Sequence, residues 1–324
     1  MSITSGLLLV GLVTCVFYYI RRWAAGGVCQ SKRRLDGKTV IITGANSGMG
    51  KETAVNLAKR GARVILACRN DKRGEAAVAE VKQRSGSNAV LYRKLDLEEL
   101  ESIRKFANKI VEDDERVDIL INNAGIWAHP HSKTVDGFET HFGVNYIGHF
   151  YLTNLLLGRL RASAPSRVVN VSSRAHIIGH IDLDEVDGKA TRTRPYKKMI
   201  AYAESKLAVV LFTRELAKRL DGTGVTTYVV HPGCVRTRLQ RMLSGTLIGY
   251  VYNAIYPFLC VLWKSPSEGA QTTIHCAVDE RLDNVSGRYY VDCAESRLAA
   301  CAEDKAVAQK LWEISEKQTG LVKQ

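Results

Sequence analysis

Proline is scarce in this chain, with 6 in 324 residues, and the apolar share is an ordinary 46%, which excludes disorder as the dominant state. The 8 cysteines lie far apart and form no CxxC pair. That spacing argues against a zinc cage or a small disulfide scaffold and suits a reducing compartment for the main domain. A mean hydropathy of −0.11 argues against a polytopic membrane protein. No internal repeat or low-complexity tract breaks the chain. Acidic residues are the minority, 33 against 46 Lys+Arg, and the formal charge is +13. Such a balance suits an anionic cofactor, an anionic membrane surface or nucleic acid. The charge is spread along the chain without an RNA- or DNA-binding motif, so no nucleic-acid partner is expected.

Uncharged runs are few, and one stands at the N-terminus. Ile3 to Ile20 is 18 residues without a charge. As a helix rising about 1.5 Å per residue it would span roughly 27 Å, close to a thin bilayer. Tyr18, Tyr19 and Trp23 would form an aromatic belt, and Arg21, Arg22, Lys32, Arg33, Arg34 and Lys38 all follow the span. That bias predicts an uncleaved membrane anchor (1–22) with everything after it in the cytosol. A cleaved signal peptide is the weaker reading, because a basic leading region is missing and YYIRRW is a poor cleavage site.

Beyond a basic linker (23–36), short β-branched runs alternate with amphipathic segments. Strands are expected at 38–43, 62–67, 89–95, 117–122, 166–171 and 224–230, and helices near 49–60, 71–84, 98–114, 136–161 and 199–220. Mostly hydrophobic strands alternating with helices predict one α/β domain (37–320) with a doubly wound parallel sheet covered on both faces. The alternation weakens after residue 235, where substrate-facing helices are expected.

The first strand runs into TGANSGMGKE, with Gly44, Gly48 and Gly50 opening a helix. Glycines let the backbone approach a pyrophosphate, and the N–H groups and dipole of the helix hold it. An ATP phosphate loop is a near miss, since Glu52 stands where Ser or Thr is needed. The second strand ends LACRN. An acid for the ribose 2′-OH is replaced there by Cys68 and followed by Arg69, with Lys72 and Arg73 close by, which favours a 2′-phosphate and hence NADP(H). In the second half, Tyr202 and Lys206 of YAESK share one helix face. An ammonium beside the phenol would stabilise the phenolate, suiting Tyr202 to exchange a proton near neutral pH. Ser172 and Ser173 close the strand expected at 166–171, at the carboxyl edge where ligands of open α/β sheets sit.

TGANSGMG, NNAG (122–125), Asn145 in GVNYIGHF, Ser173 after VVNVS, YAESK and HPG (231–233) together resemble the short-chain dehydrogenase/reductase superfamily. Within it the chain is most similar to the membrane-anchored retinol dehydrogenases of the type 11–14 group. The resemblance implies a Rossmann-type single domain and a catalytic set of Asn145, Ser173, Tyr202 and Lys206. Tyr202 would be the general acid/base. Lys206 would lower its pKa and bind the nicotinamide ribose. Ser173 would hold the substrate oxygen, and Asn145 a water linking Lys206 to solvent. Gly44, Asn46, Ser47, Gly48, Met49 and Gly50 would wrap the pyrophosphate, with Arg69 on the 2′-phosphate and Asp96 at the adenine. Asn123 would lie beside the cofactor, and Pro232, Gly233 and Thr237 near the nicotinamide amide. The implied reaction is hydride transfer between NADP(H) and a lipophilic carbonyl or alcohol, a retinoid first, without a metal. In the cytosol the expected direction is aldehyde to alcohol. Steroids or lipid-derived aldehydes are the alternative substrates, and a non-catalytic NADP-binding membrane scaffold is the alternative class. The expected location is the endoplasmic reticulum membrane, with the mitochondrion as the other option. The bilayer is a partner, and a homodimer stays open.

Further stretches draw expectations of their own. The basic segment 188–198 precedes the catalytic helix and reads as a solvated loop or a membrane contact. Trp127 would place an aromatic near the substrate cleft. The apolar run 247–263, within a substrate-facing segment at 235–265, is broken by Asn253 and Pro257 and reads as a lip over the site dipping toward the membrane. His129 and His131 lack ligand partners at suitable spacing and read as loop residues, and the sequons at Asn170 and Asn284 should stay unmodified.

Overall fold

The computed structural model describes residues 3–113, 116–189, 195–236 and 262–322, with the side chains of residues 3–10 and 13 left out. Thr237, the centre of the basic segment (190–194) and nearly all of the apolar run (247–261) lie outside the described residues.

Eight strands form one sheet in the order β3-β2-β1-β4-β5-β6-β7-β8. They are β1 (Thr39–Thr43), β2 (Arg63–Cys68), β3 (Val90–Lys94), β4 (Ile119–Asn122), β5 (Ser166–Val171), β6 (Val225–His231), β7 (Arg288–Val291) and β8 (Ala294–Glu295). The first seven pair in parallel, and β8 turns back antiparallel on β7. Strands β1, β4 and β5 are buried at every position, as expected of a parallel sheet covered on both faces. The strand order reverses between β1 and β4, so the crevice beyond their carboxyl ends lies at the switch point.

One face carries α2 (Gly48–Lys59), α3 (Asp71–Ser85) and α7 (Pro266–Val278). The other carries α4 (Leu100–Asp113), α5 (Gly148–Ala162), α6 (Lys198–Arg219) and α8 (Lys305–Thr319). A further helix, α1 (Ile3–Ala25), precedes the sheet. Among the described residues no helix is long and apolar enough to cross a membrane, and the first part of α1 falls outside that search.

Three features differ from the sequence reading. The pattern at 136–161 is not one helix. A π-helical turn, Gly143–Ile147, precedes α5, and the glycines that open it and follow it, Gly143 and Gly148, are pressed on neighbours. A Cβ on Gly143 would come 2.5 Å from Thr134 Cγ2, and one on Gly148 would come 2.9 Å from the Leu97 carbonyl. Beyond residue 235, β7 extends the sheet where no strand was expected and α7 packs against α2, while the segment 235–265 expected to face substrate lies almost wholly outside the described residues. Finally, the linker is fastened to the domain: the Arg60 guanidinium donates to the Ser31 and Arg33 carbonyls, both at 2.9 Å.

Helix α8, absent from the sequence reading, closes one core. Its Trp312 stacks on Phe212 at 5.8 Å, meets Phe150 edge-on at 4.9 Å, and carries Arg219 4.4 Å above its ring. Trp312→Ala is expected to cost about 3–5 kcal/mol, read as a lower urea midpoint at unchanged slope. A loss below about 1 kcal/mol would mean that α8 lies outside the cooperative unit.

Candidate active site

The first glycine turn needs its glycines for space. Gly44 has φ +66°, and a Cβ there would stand 2.9 Å from Ala124 Cα. On Gly50 it would reach 2.5 Å from Asn123 Nδ2 and 2.9 Å from the Gly44 carbonyl. The turn after β1 is thereby pressed against the turn after β4. Ser47 caps α2 without a side-chain hydrogen bond, so the first-turn N–H groups meet no such cap. This end of α2 borders a cleft of about 590 Å³. Gly44, Asn46–Gly50, Arg69, Asp96, Asn123, Pro232 and Gly233 line it, together with Ser173, Tyr202 and Lys206. These residues fit a dinucleotide: a glycine turn packed too closely to admit a Cβ at Gly44 or Gly50, and a 12-residue helix whose uncapped positive end borders the cleft.

Thr43, at the end of β1, is the hub. Its hydroxyl oxygen accepts from Asn123 N and Ala124 N, both at 2.9 Å, and its carbonyl accepts from Asn123 Nδ2 at 2.8 Å. The hydroxyl meets His149 Nε2 at 2.9 Å. Burial pushes His149 down to about 4, so the ring is neutral. Its Nδ1 lies 3.0 Å from the Asn145 carbonyl and must donate to it, which leaves Nε2 to accept the Thr43 proton. His149 was not singled out from sequence. Its only signal is a polar residue four positions after Asn145 on a buried helix.

Asn145 sits in the π turn behind the cleft wall. Its side chain accepts from Ile126 N (2.9 Å) and donates to the Ile126 carbonyl (3.1 Å) and Ser205 Oγ (2.9 Å). The catalytic helix α6 brings Tyr202 and Lys206 to Ser173, which hydrogen-bonds Tyr202. Lys206 Nζ donates to the Val171 carbonyl at 2.9 Å and lies 5.8 Å from the centre of the Tyr202 ring. Burial raises the Tyr202 phenol from its ordinary value, and the Ser173 hydrogen bond opposes this only in part. The lysine is itself pushed down to about 8 by desolvation. With both groups out of water, loss of solvation outweighs their mutual effect.

Arg69 is not a bare cation. It pairs with Glu98 and lies 4.0 Å from Asp96, so two carboxylates share its charge. Glu98 also lines the cleft and was missed in the sequence, because it is 29 residues from its partner. Ile126, and not Trp127, lines the described part of the cleft. His129 stays in its loop, its Nδ1 2.9 Å from the Pro130 carbonyl, and the His131 ring packs on Tyr196 at 4.5 Å. Tyr196, within the basic segment, donates to Glu139 at 3.0 Å, beside the buried His141. The Asn170 amide is used up inside the sheet by Asn122 and Thr213. A cluster that sequence spacing could not show brings Cys29, His275 and Asp279 within 4.8 Å of one another. Arg281 occupies the Asp279 carboxylate at 2.9 and 2.8 Å, and burial pushes the Cys29 thiol up, so the cluster reads as an ion pair between buried Asp279 and exposed Arg281.

The short chain dehydrogenase family model matches residues 38–183 and 189–246. The chain is a short-chain dehydrogenase/reductase. It is 49% identical over 316 residues to human "Retinol dehydrogenase 12", covering 95% of this chain and 97% of that protein. It is 48% identical to human "Retinol dehydrogenase 13", covering 96% of this chain and 93% of that one. Among solved structures it resembles an uncharacterized Mycobacterium paratuberculosis protein with TM-score 0.71 and 36% identity, covering 91% and 98% of the two chains. It also resembles a Pseudomonas aeruginosa RhlG/NADP active-site complex with TM-score 0.62 and 27% identity, covering 79% and 94%. This dehydrogenase/reductase is therefore an oxidoreductase of CH–OH groups that uses a nicotinamide cofactor.

The desolvated Lys206 ammonium makes the stability of the fold depend on pH. Between pH 8 and about 10.5 the unfolded chain binds more protons than the folded one, so this group makes stability rise with pH. Below pH 8 the buried ammonium costs about 3 kcal/mol. Lys206→Met should therefore melt higher than wild type at pH 7 without nucleotide and lose that advantage by pH 10. A variant less stable at both pH values would show that the ammonium is not desolvated.

Proposed function

We propose that the chain is a membrane-anchored, NADPH-dependent retinal reductase/retinol dehydrogenase, working on lipophilic aldehyde as the favoured direction. The arrangement that carries the reading is a largely buried Tyr202, hydrogen-bonded by Ser173 and flanked by Lys206, in one cleft with the glycine turn. When bound, the nicotinamide supplies or takes the hydride. Ser173 and Tyr202 hold the substrate oxygen between two hydroxyls, and Tyr202 gives it a proton. Burial raises the Tyr202 phenol from its ordinary value, which suits it to donate the proton. Lys206, close to its titration point near neutrality, resupplies the proton. Asn145 and His149 hold the wall behind it.

The retinoid substrate rests on relatives named retinol dehydrogenases that align over more than nine-tenths of the chain. The preference for NADPH rests on Arg69 and Arg73 at the cleft, tempered by Glu98 and Asp96. The anchor and the endoplasmic reticulum location, with the catalytic domain cytosolic, rest on the charge-free run and the basic residues after it.

In NADPH oxidation with all-trans-retinal, Tyr202→Phe should lose about 10³-fold in kcat while still binding NADPH. Retained turnover would overturn Tyr202 as the acid, and NADPH binding without retinal turnover would move the substrate to steroids or lipid-derived aldehydes. Arg69→Gln should lower the NADPH-over-NADH ratio of kcat/KM at least about tenfold, and Glu98→Gln should raise it. An unchanged ratio in both variants would remove this pair from cofactor selection.

A further inference from the structure

Immediately after the apolar run, Arg21 turns back onto the catalytic domain. Both oxygens of Glu268, 247 residues away in sequence, accept from its Nη2 at 2.5 Å. The pair is only partly exposed, at 27% for each side chain. Glu268 also belongs to the capping box of α7: its Oε2 accepts from Ser265 N at 2.8 Å, and its own N–H donates to Ser265 Oγ at 3.2 Å. One carboxylate thus closes a helix end and holds a guanidinium from the end of α1.

The contacts continue from there to the cleft. Directly after α1 come Gly26 and Gly27, which by themselves would make a swivel. They are instead buttressed. A Cβ on Gly26 would overlap the carboxylate of Asp292 and the ammonium of Lys264, and one on Gly27 would overlap the Asp292 carbonyl. Lys264 pairs with Asp292 and is nearly inaccessible. Its stem lies against Gly233, where a Cβ would come 2.9 Å from Lys264 Cε. Its backbone pairs with Val235, so the chain leaves toward residue 237 and returns at Leu262 beside the same post. One turn into α7, Gly269 packs on Val235 and on Met49 of the glycine turn. The end of α1 is therefore joined by rigid packing to the residues that border the cleft at Gly233 and Met49.

We propose that Arg21 and Glu268, backed by Lys264 and Asp292, form an orienting clamp that fixes the catalytic domain to its N-terminal helix, so that the cleft receives lipophilic substrate directly from the bilayer. This rests on the reading of α1 as a membrane anchor. The clamp bypasses the Gly26–Gly27 swivel. It acts on delivery of substrate and leaves the reacting groups untouched, which makes Arg21 and Glu268 positioning residues.

The test uses the full chain reconstituted in phosphatidylcholine vesicles loaded with all-trans-retinal, and the same chain with retinal in detergent micelles. Arg21→Gln and Glu268→Gln should each lower kcat/KM at least fivefold in vesicles and stay within twofold of wild type in micelles. Gln at 268 keeps an oxygen for the Ser265 N–H, so the cap survives. Ser265→Ala, which weakens the cap and keeps the Arg21 contact, should behave as wild type in both media. Equal losses in vesicles and micelles, or an equal loss in Ser265→Ala, would assign the pair a purely structural role and overturn the clamp. No loss in either medium would overturn it as well. Carbonate washing separates the two readings: a wild-type chain that washes off membranes overturns the anchor and the clamp together. A chain that stays while its variants show no vesicle-specific loss overturns the clamp alone.

Discussion

The site depends on how closely the turn after β1 approaches the turn after β4. Thr43 ties them, taking two backbone N–H groups on its hydroxyl and the Asn123 amide on its carbonyl. The absence of side chains at Gly44 and Gly50 lets the backbones meet. Everything downstream inherits this contact. It places the open end of α2 at the switch point of the sheet and sets the floor of the cleft. Through neutral His149 it also fixes the carbonyl of Asn145 and with it the π turn beside α6. A charged imidazole could not serve there, since its second nitrogen must accept a proton.

Solvation, more than charge pairing, governs the reacting groups. Tyr202 and Lys206 lie on one helix face, and that proximity alone suggests a stabilised phenolate. Burial opposes that effect: the phenol rises and the ammonium falls. At the exposed rim the opposite holds. Arg69 stands in water, and two carboxylates there temper its positive charge.

The strands from β1 to β6 were legible because a buried parallel strand reads as a continuous apolar run, and their boundaries match within a residue or two. Strand β7 escaped because RYYV is four residues with an arginine at its head, and β8 is shorter still. Helix α8 escaped because its polar face dominates the sequence, while Trp312, Leu311 and Ile314 show their purpose only against Phe150 and Phe212. The π turn hid inside an ordinary helical pattern, since its cause is the crowding of Gly143 and Gly148 by Thr134 and Leu97 from elsewhere in the chain. The cleft-lining residues from Gly44 to Gly233 were named from motifs, but Asn145 stands behind the wall and Glu98 on it.

The sequence by itself determined the order of β1 to β6 and the helices between them, the glycine turn, the Tyr202 and Lys206 spacing and the apolar run with its basic flank, because each is a local pattern of period, turn chemistry or charge. Tertiary structure alone decided that Arg69 faces Glu98, that His149 is neutral and bridges Thr43 to Asn145, and that Arg21 reaches Glu268. These pairings join residues 29, 106 and 247 positions apart, or turn on burial that no local window contains. Hydrogen bonds, ion pairs and desolvation act through space, and only the folded chain says which groups share it.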